Sequence, residues 1–276
     1  MARLSQRWQD SILQSRNQSC GQSVLDSTFP IMPWITPALD PKLEALILRI
    51  GARRNFEPGE LLFAKDQKID QLAIVCRGVT ARGIGNFSQY AVGLATPGRI
   101  AAGNLNFFSE RHAIGRYFAL TTAEVCFCPR SLLLSLLRRD ERLFMSCVAQ
   151  FECSALSDRL SFACLFLGDA VLRLKALTAT WALNYGSLEK ENAKEWIRMP
   201  VPMTIRVRSQ VINATPNWVD RIVAGWRKAG LCRREGEVVF VSIQLIEEGY
   251  TWLRSIEEAD NKFHYPHSIR TLFENR

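Results

Sequence analysis

Histidine is scarce in this sequence, and the residue groupings that mark common enzymes are missing from it. The 276 residues include three histidines. We find no Ser/His/Asp arrangement, no glycine-rich phosphate loop and no cluster with metal-ligand spacing. The sequence therefore predicts neither an enzyme nor a protein with a metal or other cofactor.

Long apolar runs are also lacking. No segment approaches the roughly 20 uninterrupted apolar residues that a bilayer-spanning helix needs. The N-terminal sequence MARLSQRWQDSILQSRNQSC has no apolar stretch of the kind found in secretory signals. We therefore expect a cytoplasmic protein without a membrane partner.

Cysteine occurs eight times, but never as a C-x-x-C pair. The positions are scattered and mostly lie among apolar residues, which favours reduced, buried side chains in a cytoplasmic protein. We expect Cys126 and Cys128 to point to opposite faces of a strand. Cys20 is the most exposed candidate for a redox role.

The overall composition is that of a globular protein with a basic surplus. Hydrophobic residues make up 47% and charged residues 22% of a chain long enough for two domains of ordinary size. The formal net charge of +8 suggests a polyanionic partner.

Residues 203–243 have the pattern of two short helices joined by a tight turn and followed by a β-hairpin. Thr215 is a preferred helix N-cap and Pro216 suits the first helical position, so a helix is expected to begin there. Gly230 is placed to end it, and a turn at residues 235–237 separates two strand-like runs. This order is the outline of a winged helix-turn-helix.

The same stretch carries much of the positive charge of the chain. Residues 203–235 contain seven Lys or Arg against two acidic residues, a net charge of +5. Basic side chains at a helix-turn-helix can neutralise DNA phosphates, while residues near the start of the second helix reach base edges. The alternative is a solvated basic face on an ordinary helical hairpin, but the order of the elements favours nucleic acid binding.

Upstream, the apolar pattern predicts a different architecture. A helix is expected from Pro41 to the residue before Gly51. From Arg53 to Cys128, short runs with β character alternate with glycine-containing turns, which is typical of an antiparallel barrel or roll. The predicted fold class is α+β, with an N-terminal antiparallel β-roll, a long helix and a C-terminal winged helix-turn-helix. The expected strands cover residues 60–64, 71–76, 79–82, 89–95, 117–122 and 124–128.

Asp140 is expected to cap the long helix. Its apolar residues step by four and three over about three heptads, which is how one helix pairs with its copy. The alternative is that the helix lies on the β-roll through Phe144, Val148 and Phe151. We favour a homodimer, because a small palindrome-reading domain needs a two-fold partner. The predicted seam comprises Ala149, Cys153, Leu156, Leu160, Ala163 and Leu167.

These features divide the chain into five predicted segments. Residues 1–40 form an N-terminal arm and connector, residues 41–139 the β-roll with flanking helices, and residues 140–168 the long dimerisation helix. Residues 169–243 form the winged helix-turn-helix, and residues 244–276 a helical extension. The extension is expected to dock on the basic domain, with contact to RNA polymerase as the alternative.

Four short motifs point to a known family. Residues 56–62 read FEPGELL and residues 74–79 read IVCRGV, while residues 220–223 read DRIV and residues 229–231 read AGL. In this order, with a long helix between the two pairs, they resemble motifs of the Crp/Fnr superfamily of bacterial transcription regulators. The resemblance implies a cyclic-nucleotide-binding-like roll, a homodimer and binding to double-stranded DNA.

The roll departs from the family at the residues that bind cyclic AMP. The family's Gly-Glu-Leu element reads Gly103-Asn104-Leu105 here, so the carboxylate that binds the ribose is absent. The slot of the phosphate-binding arginine falls at Ala113 or Ile114, with Arg111 and Arg116 to either side. Loss of a charge-assisted phosphate contact costs about 1.5–3 kcal/mol. We expect no binding of cyclic AMP in the family manner unless Arg111 or Arg116 substitutes, and any other effector is unknown.

The recognition helix also departs from the family pattern. Where members often present Arg-Glu-x-x-x-Arg, this chain has Pro216, Asn217 and Arg221. Arg221 suits guanine and Asn217 suits adenine in the major groove, and Trp218 either packs in the core or meets a thymine methyl. Base contacts are thus predicted for these four residues. Phosphate contacts are predicted for Thr204, Arg206, Arg208, Ser209, Arg227 and Lys228.

The sequence therefore predicts a homodimeric, sequence-specific DNA-binding transcription regulator that is not controlled by cyclic AMP. The family's iron–sulfur mode is not expected, because only Cys20 lies near the N-terminus. The alternative is a protein-interaction module with a degenerate sensor and weakened or non-specific DNA binding, which the changed recognition residues motivate.

Overall fold

The computed structural model describes residues 31–84, 91, 93–191, 194–200, 203–256 and 268–274. Within this part, the chain forms two compact units, one of residues 35–159 and one of residues 31–34 with 160–274. The predicted N-terminal arm with Cys20 and part of the expected strand 89–95 lie outside the described residues. None of the described helices is both long and apolar enough to cross a membrane.

The helix ends follow local capping signals. The Asp40 carboxylate accepts the backbone N–H of Lys42 at 2.8 Å, and the Asp140 carboxylate accepts that of Leu143 at 3.0 Å. The expected cap at Asp140 is thus confirmed. In chain order the described helices are α1 (Pro41–Ile50), α2 (Arg130–Leu137), α3 (Glu141–Leu167), α4 (Ala170–Tyr185), α5 (Ile205–Val211), α6 (Pro216–Lys228), α7 (Ile243–Ile256) and α8 (Ile269–Glu274).

Two four-stranded antiparallel sheets form the roll of the first unit, in the orders β1-β8-β3-β6 and β2-β7-β4-β5. The predicted fold class is therefore confirmed. β1 and β6 fall outside the expected runs, because β1 is mostly exposed and β6 has only three residues. The strands are β1 (Ala52–Phe56), β2 (Leu61–Phe63), β3 (Gln71–Arg77), β4 (Thr80–Ile84), β5 (Gly93–Ala95), β6 (Ile100–Ala102), β7 (Gly115–Ala119) and β8 (Ala123–Pro129).

Alternate residues of β3 and β8 pack into two different apolar clusters. Val75 and Phe127 face the inside of the roll, where the Phe127 ring lies 5.7 Å from that of Phe63. Cys126 and Cys128 both face the other cluster, which includes residues of α1. The prediction that these two cysteines point to opposite faces is wrong, because residues two apart on a strand share a face.

The second unit is built on a four-stranded antiparallel sheet with the order β11-β12-β10-β9. β11 (Cys232–Glu235) and β12 (Val238–Ser242) form the predicted hairpin, with Gly236 at φ +58° in its turn. β9 (Ser187–Glu191) and β10 (Lys194–Met199) were not expected from the pattern. Their sequences, SLEKE and KEWIRM, carry too many charges to resemble buried strands.

The C-terminal extension packs on its own unit through α7. Leu245, Ile246 and Leu253 are fully buried. A Cβ at Gly249 would lie 2.5 Å from the backbone carbonyl oxygen of Lys175 in α4, so only glycine permits this close approach. The expected docking of the extension is confirmed for α7.

Candidate nucleic-acid interface

The start and end of α6 are set by its sequence. The Thr215 hydroxyl accepts the Trp218 N–H at 3.3 Å, and Pro216 occupies the first turn. After the helix, Gly230 adopts φ +69°, a conformation that favours glycine. Val219 and Val223 are buried on the inner face. The opposite face of α6 is therefore presented to solvent.

All four predicted base-contact residues are exposed: Pro216 at the start of the helix, and Asn217, Trp218 and Arg221. Trp218 is 42% exposed, so the interpretation that it packs in the core is wrong. The Arg221 guanidinium carbon lies 5.3 Å from the centre of the Trp218 ring, a cation–π contact one turn apart. The indole thus holds the Arg221 side chain against the helix face.

Four of the six predicted phosphate-contact residues are also exposed: Thr204, Arg206, Arg227 and Lys228. Within the described part of the chain, none of the three cations is held in an ion pair. Thr204 caps α5 by accepting the Val207 N–H at 3.3 Å. The three cations therefore remain available to an anionic partner.

The other two phosphate predictions are wrong, because their side chains turn toward the interior. Ser209 is 4% exposed, and its hydroxyl donates to the Arg206 carbonyl at 2.8 Å. Arg208 is half-buried and lines a cavity of about 10 Å³ with Leu177, Trp181 and other residues. Burial lowers the pKa of the Arg208 guanidinium, and the nearby charge of Arg227 acts in the same direction.

The arginines of the hairpin are neutralised within the second unit. Arg234 pairs with Glu237 at 3.3 Å. Arg233 pairs with Glu191 of β9, and its guanidinium carbon lies 4.7 Å from the Trp196 ring and 4.8 Å from the Phe240 ring. The sequence showed the charge of Arg233 but not its partner, because Glu191 lies far from it along the chain.

Apolar side chains of α3 are exposed in the single chain. Of the predicted seam, Leu156 is 37% and Leu167 66% exposed, and Ala149, Cys153 and Ala163 are partly exposed. Leu160 is 1% exposed, so its place in the seam is wrong. The single chain already buries this side chain, so it is not available to a partner copy. Further exposed apolar residues of this helix are Met145, Phe162 and Phe166.

The helix also packs on the roll, as the alternative interpretation expected. Phe151 is 8% exposed and belongs to the cluster around α1, against which Phe144 packs. The Phe107 and Phe151 ring centres are 5.1 Å apart. The two interpretations are compatible, because they concern different faces of α3.

The predicted effector residues lie around the connection from β6 to β7. At Gly103, φ is +97° and a Cβ would lie 2.3 Å from the Gln71 carbonyl oxygen, so backbone packing requires glycine there. Asn104 is 5% exposed, and its Nδ2 has no hydrogen-bond partner among the described residues, whereas Leu105 and Arg111 are exposed. The Arg116 guanidinium carbon lies 5.0 Å from the centre of the Phe118 ring.

The two candidate slots for the phosphate-binding arginine differ in exposure. Ala113 is 1% exposed and Ile114 is 73% exposed. A cavity of about 10 Å³ beside β4 and β5 is lined by other residues, among them Thr36, Thr80 and Arg82. The described residues contain no group of three or more His, Cys, Asp or Glu side chains placed to hold a metal ion.

Comparison with known proteins gives no match to a protein-family model or to a curated protein. Solved structures do match. CprK in complex with OCPA is 13% identical, with 78% of this chain and 97% of that chain covered at a TM-score of 0.59. FixK2 from Bradyrhizobium japonicum is 14% identical, with 76% of this chain and 98% of that chain covered at a TM-score of 0.59. A transcriptional regulator of the CRP family from Thermus thermophilus is 12% identical, with 71% of this chain and 96% of that chain covered at a TM-score of 0.53.

An antiparallel roll, a long helix and a winged helix-turn-helix together make up the architecture of this chain. The matched structures have this architecture at identities that show the fold alone. The chain therefore has the Crp/Fnr fold, and the resemblance noted from its sequence motifs is confirmed at the level of fold.

Proposed function

We propose that this protein is a homodimeric, sequence-specific DNA-binding transcription regulator that acts in the cytoplasm and is not controlled by cyclic AMP. The exposed face of α6 carries the proposal. Asn217 and Arg221 lie one turn apart on it, and Trp218 contacts Arg221. An arginine can donate two hydrogen bonds to guanine, and an asparagine can pair with adenine. Their exposure on one helix face suits base reading in the major groove.

The exposed cations of α5 and α6 are suited to contact the phosphate backbone of DNA. Arg206, Arg227 and Lys228 are exposed and make no ion pair within the described chain. Each such cation that meets a phosphate releases counterions and strengthens binding at low salt. Phosphate contacts position a protein on DNA, whereas the base edges supply sequence preference. The proposed interface contains both kinds of group.

A second copy of the chain is proposed to pair along α3. Leu156, Phe166 and Leu167 are exposed apolar residues on this helix, and a coiled-coil contact would bury them. Two copies related by a two-fold axis would present two α6 helices to successive major grooves. We therefore expect half-sites about 34–36 Å apart.

Selection of binding sites from random double-stranded DNA tests the proposal. The expected result is a motif with two-fold symmetry and half-sites about one helical turn apart. Binding that depends on salt but shows no sequence preference would contradict it. That result would favour a protein-interaction module with non-specific DNA binding.

Single variants separate base reading from phosphate contact. Arg221→Ala should cost about 1–3 kcal/mol at one base position. Lys228→Ala should weaken all sequences alike and reduce the salt slope by about one. Arg198→Ala is the matched control, because this arginine lies in β10 and contacts Glu189 at 3.6 Å. If Arg198→Ala lost the same base preference as Arg221→Ala, α6 would not be the element that recognises the base.

A further inference from the structure

Residues 35–39, here called the strap, contact both the roll and α3. Ile35 pairs with Leu94 of β5 in an isolated parallel bridge, and the Thr36 N–H donates to the Leu94 carbonyl at 3.3 Å. The Leu39 N–H donates to the Gly98 carbonyl at 2.9 Å. The strap thus extends the edge of the β2-β7-β4-β5 sheet.

Three consecutive carbonyl groups of the strap are each bound by a buried side chain. Two of the donors come from α3 and one from the roll. Such recognition of the main chain is how proteins bind an added extended segment. The three pairs are Ser157 Oγ with the Ile35 carbonyl at 3.3 Å, Arg99 Nε with the Thr36 carbonyl at 2.7 Å, and Gln150 Nε2 with the Pro37 carbonyl at 2.8 Å.

The helix face that bonds to the strap is polar. Ser146, Gln150 and Ser157 lie on one side of the helix, and all three are at most 2% exposed. Serine and glutamine are mostly exposed in folded proteins, and a permanent core is normally apolar. This composition suits a groove that binds hydrogen-bonding groups.

The strap fills this groove incompletely. Within the described part of the chain, four buried oxygen atoms have no hydrogen-bond partner: Thr36 Oγ1, Thr80 Oγ1, Ser146 Oγ and Gln150 Oε1. A cavity of about 10 Å³ beside the strap leaves room for about one water molecule. A ligand of nucleotide size therefore has no space in this groove while the strap is docked. Unsatisfied buried polar atoms also weaken the docked state.

We propose that the strap is a releasable internal ligand of the roll, which occupies the groove in place of a small-molecule effector and holds α3 in its DNA-binding arrangement. The effect on DNA rests on the proposed function, whereas release of the strap does not. After release, Arg99, Gln150 and Ser157 would offer three donors to the solvent. They suit a small ligand with several oxygen acceptors along an extended frame.

Native-state hydrogen exchange of the full chain tests release. The Thr36 and Leu39 amides should exchange through local opening, about tenfold or more faster than amides at the centre of β3. The double variant Gln150→Ala/Ser157→Ala should speed both amides by about a further tenfold. Ser154→Ala is the matched control, because its hydroxyl donates within α3 to the Gln150 carbonyl at 2.9 Å. Exchange only through global unfolding, or an equal effect of the control, would overturn the proposal.

Fluorescence anisotropy with the selected DNA site tests the coupling. The wild-type chain should bind with no small molecule added, and the double variant should bind about tenfold more weakly. Ser154→Ala should bind like the wild type. Unchanged affinity in a double variant whose strap exchanges faster would overturn the coupling. If no form binds any DNA, the proposed function and the coupling both fail, and the exchange rates still decide whether the strap is releasable.

Discussion

Gly225 lies in the interior of α6, on its exposed face, and no packing contact explains it. A Cβ built on this residue meets no atom within 4 Å. Gly225 lies one turn after Arg221 and two turns after Trp218, both proposed to contact DNA. Glycine inside a helix costs about 0.8–1 kcal/mol relative to alanine. We infer that glycine is needed here because a ligand comes close to the helix backbone, where a side chain would be in the way.

Gly225→Ala should therefore have opposite effects on stability and on DNA binding. The free energy of unfolding should rise by about 0.5–1 kcal/mol, with no change in the urea dependence m. Affinity for the selected DNA site should fall by about tenfold, because the methyl group meets the bound DNA. Urea unfolding followed by tryptophan fluorescence and anisotropy titrations at one salt concentration measure the two quantities.

Ala224→Gly is the matched control, since Ala224 is exposed in the same turn of the helix. It should lower the unfolding free energy by about the same 0.5–1 kcal/mol. A loss of stability in Gly225→Ala would refute the conclusion that the site is open. A gain in stability with unchanged affinity would instead refute the close approach of DNA.

Two further predictions follow from contacts within each unit. Trp218→Ala should weaken DNA binding by about 0.5–1 kcal/mol, and the loss should be concentrated at the base that Arg221 reads. Trp218→Phe should retain most of the binding free energy. An equal loss over all DNA sequences would contradict the positioning of Arg221 by the indole. Burial raises the pKa of the Cys147 thiol to about 12, so only about one molecule in ten thousand carries the thiolate at pH 8. Iodoacetamide should label Cys147 only after unfolding in urea, and labelling of the native protein within minutes, detected by peptide mass, would show that the site is open.

Signals that act over a few residues predicted the outline of the DNA-binding motif. Thr215, Pro216 and Gly230 fixed the ends of α6 because an N-cap, a first-turn proline and a glycine with positive φ act within one helical turn. The exposed side of the helix followed from the spacing of Val219 and Val223. These elements needed no knowledge of the rest of the fold.

In the other helices, which side chains are buried depends on partners that are distant along the chain. Arg208 and Ser209 belong to a helix of seven residues, in which two adjacent positions can turn inward once the neighbouring elements pack. Leu160 fits an ideal heptad but is only 1% exposed in the single chain. The strap could not be foreseen at all, because its carbonyl groups bind Gln150 and Ser157, more than a hundred residues later.

The positive charge that first indicated a nucleic acid partner has two structural roles. Arg233 and Arg234 are engaged by acidic residues, and Arg233 also lies against two aromatic rings, so these arginines stabilise the hairpin and its sheet. Arg208 turns into the unit. Of the three cations that make no ion pair within the described chain, Arg227 and Lys228 lie on α6, the helix with the base-reading residues, and Arg206 lies on α5. A net charge counted along the sequence therefore overstates the charge offered to DNA, but the part that remains is concentrated where the proposed function needs it.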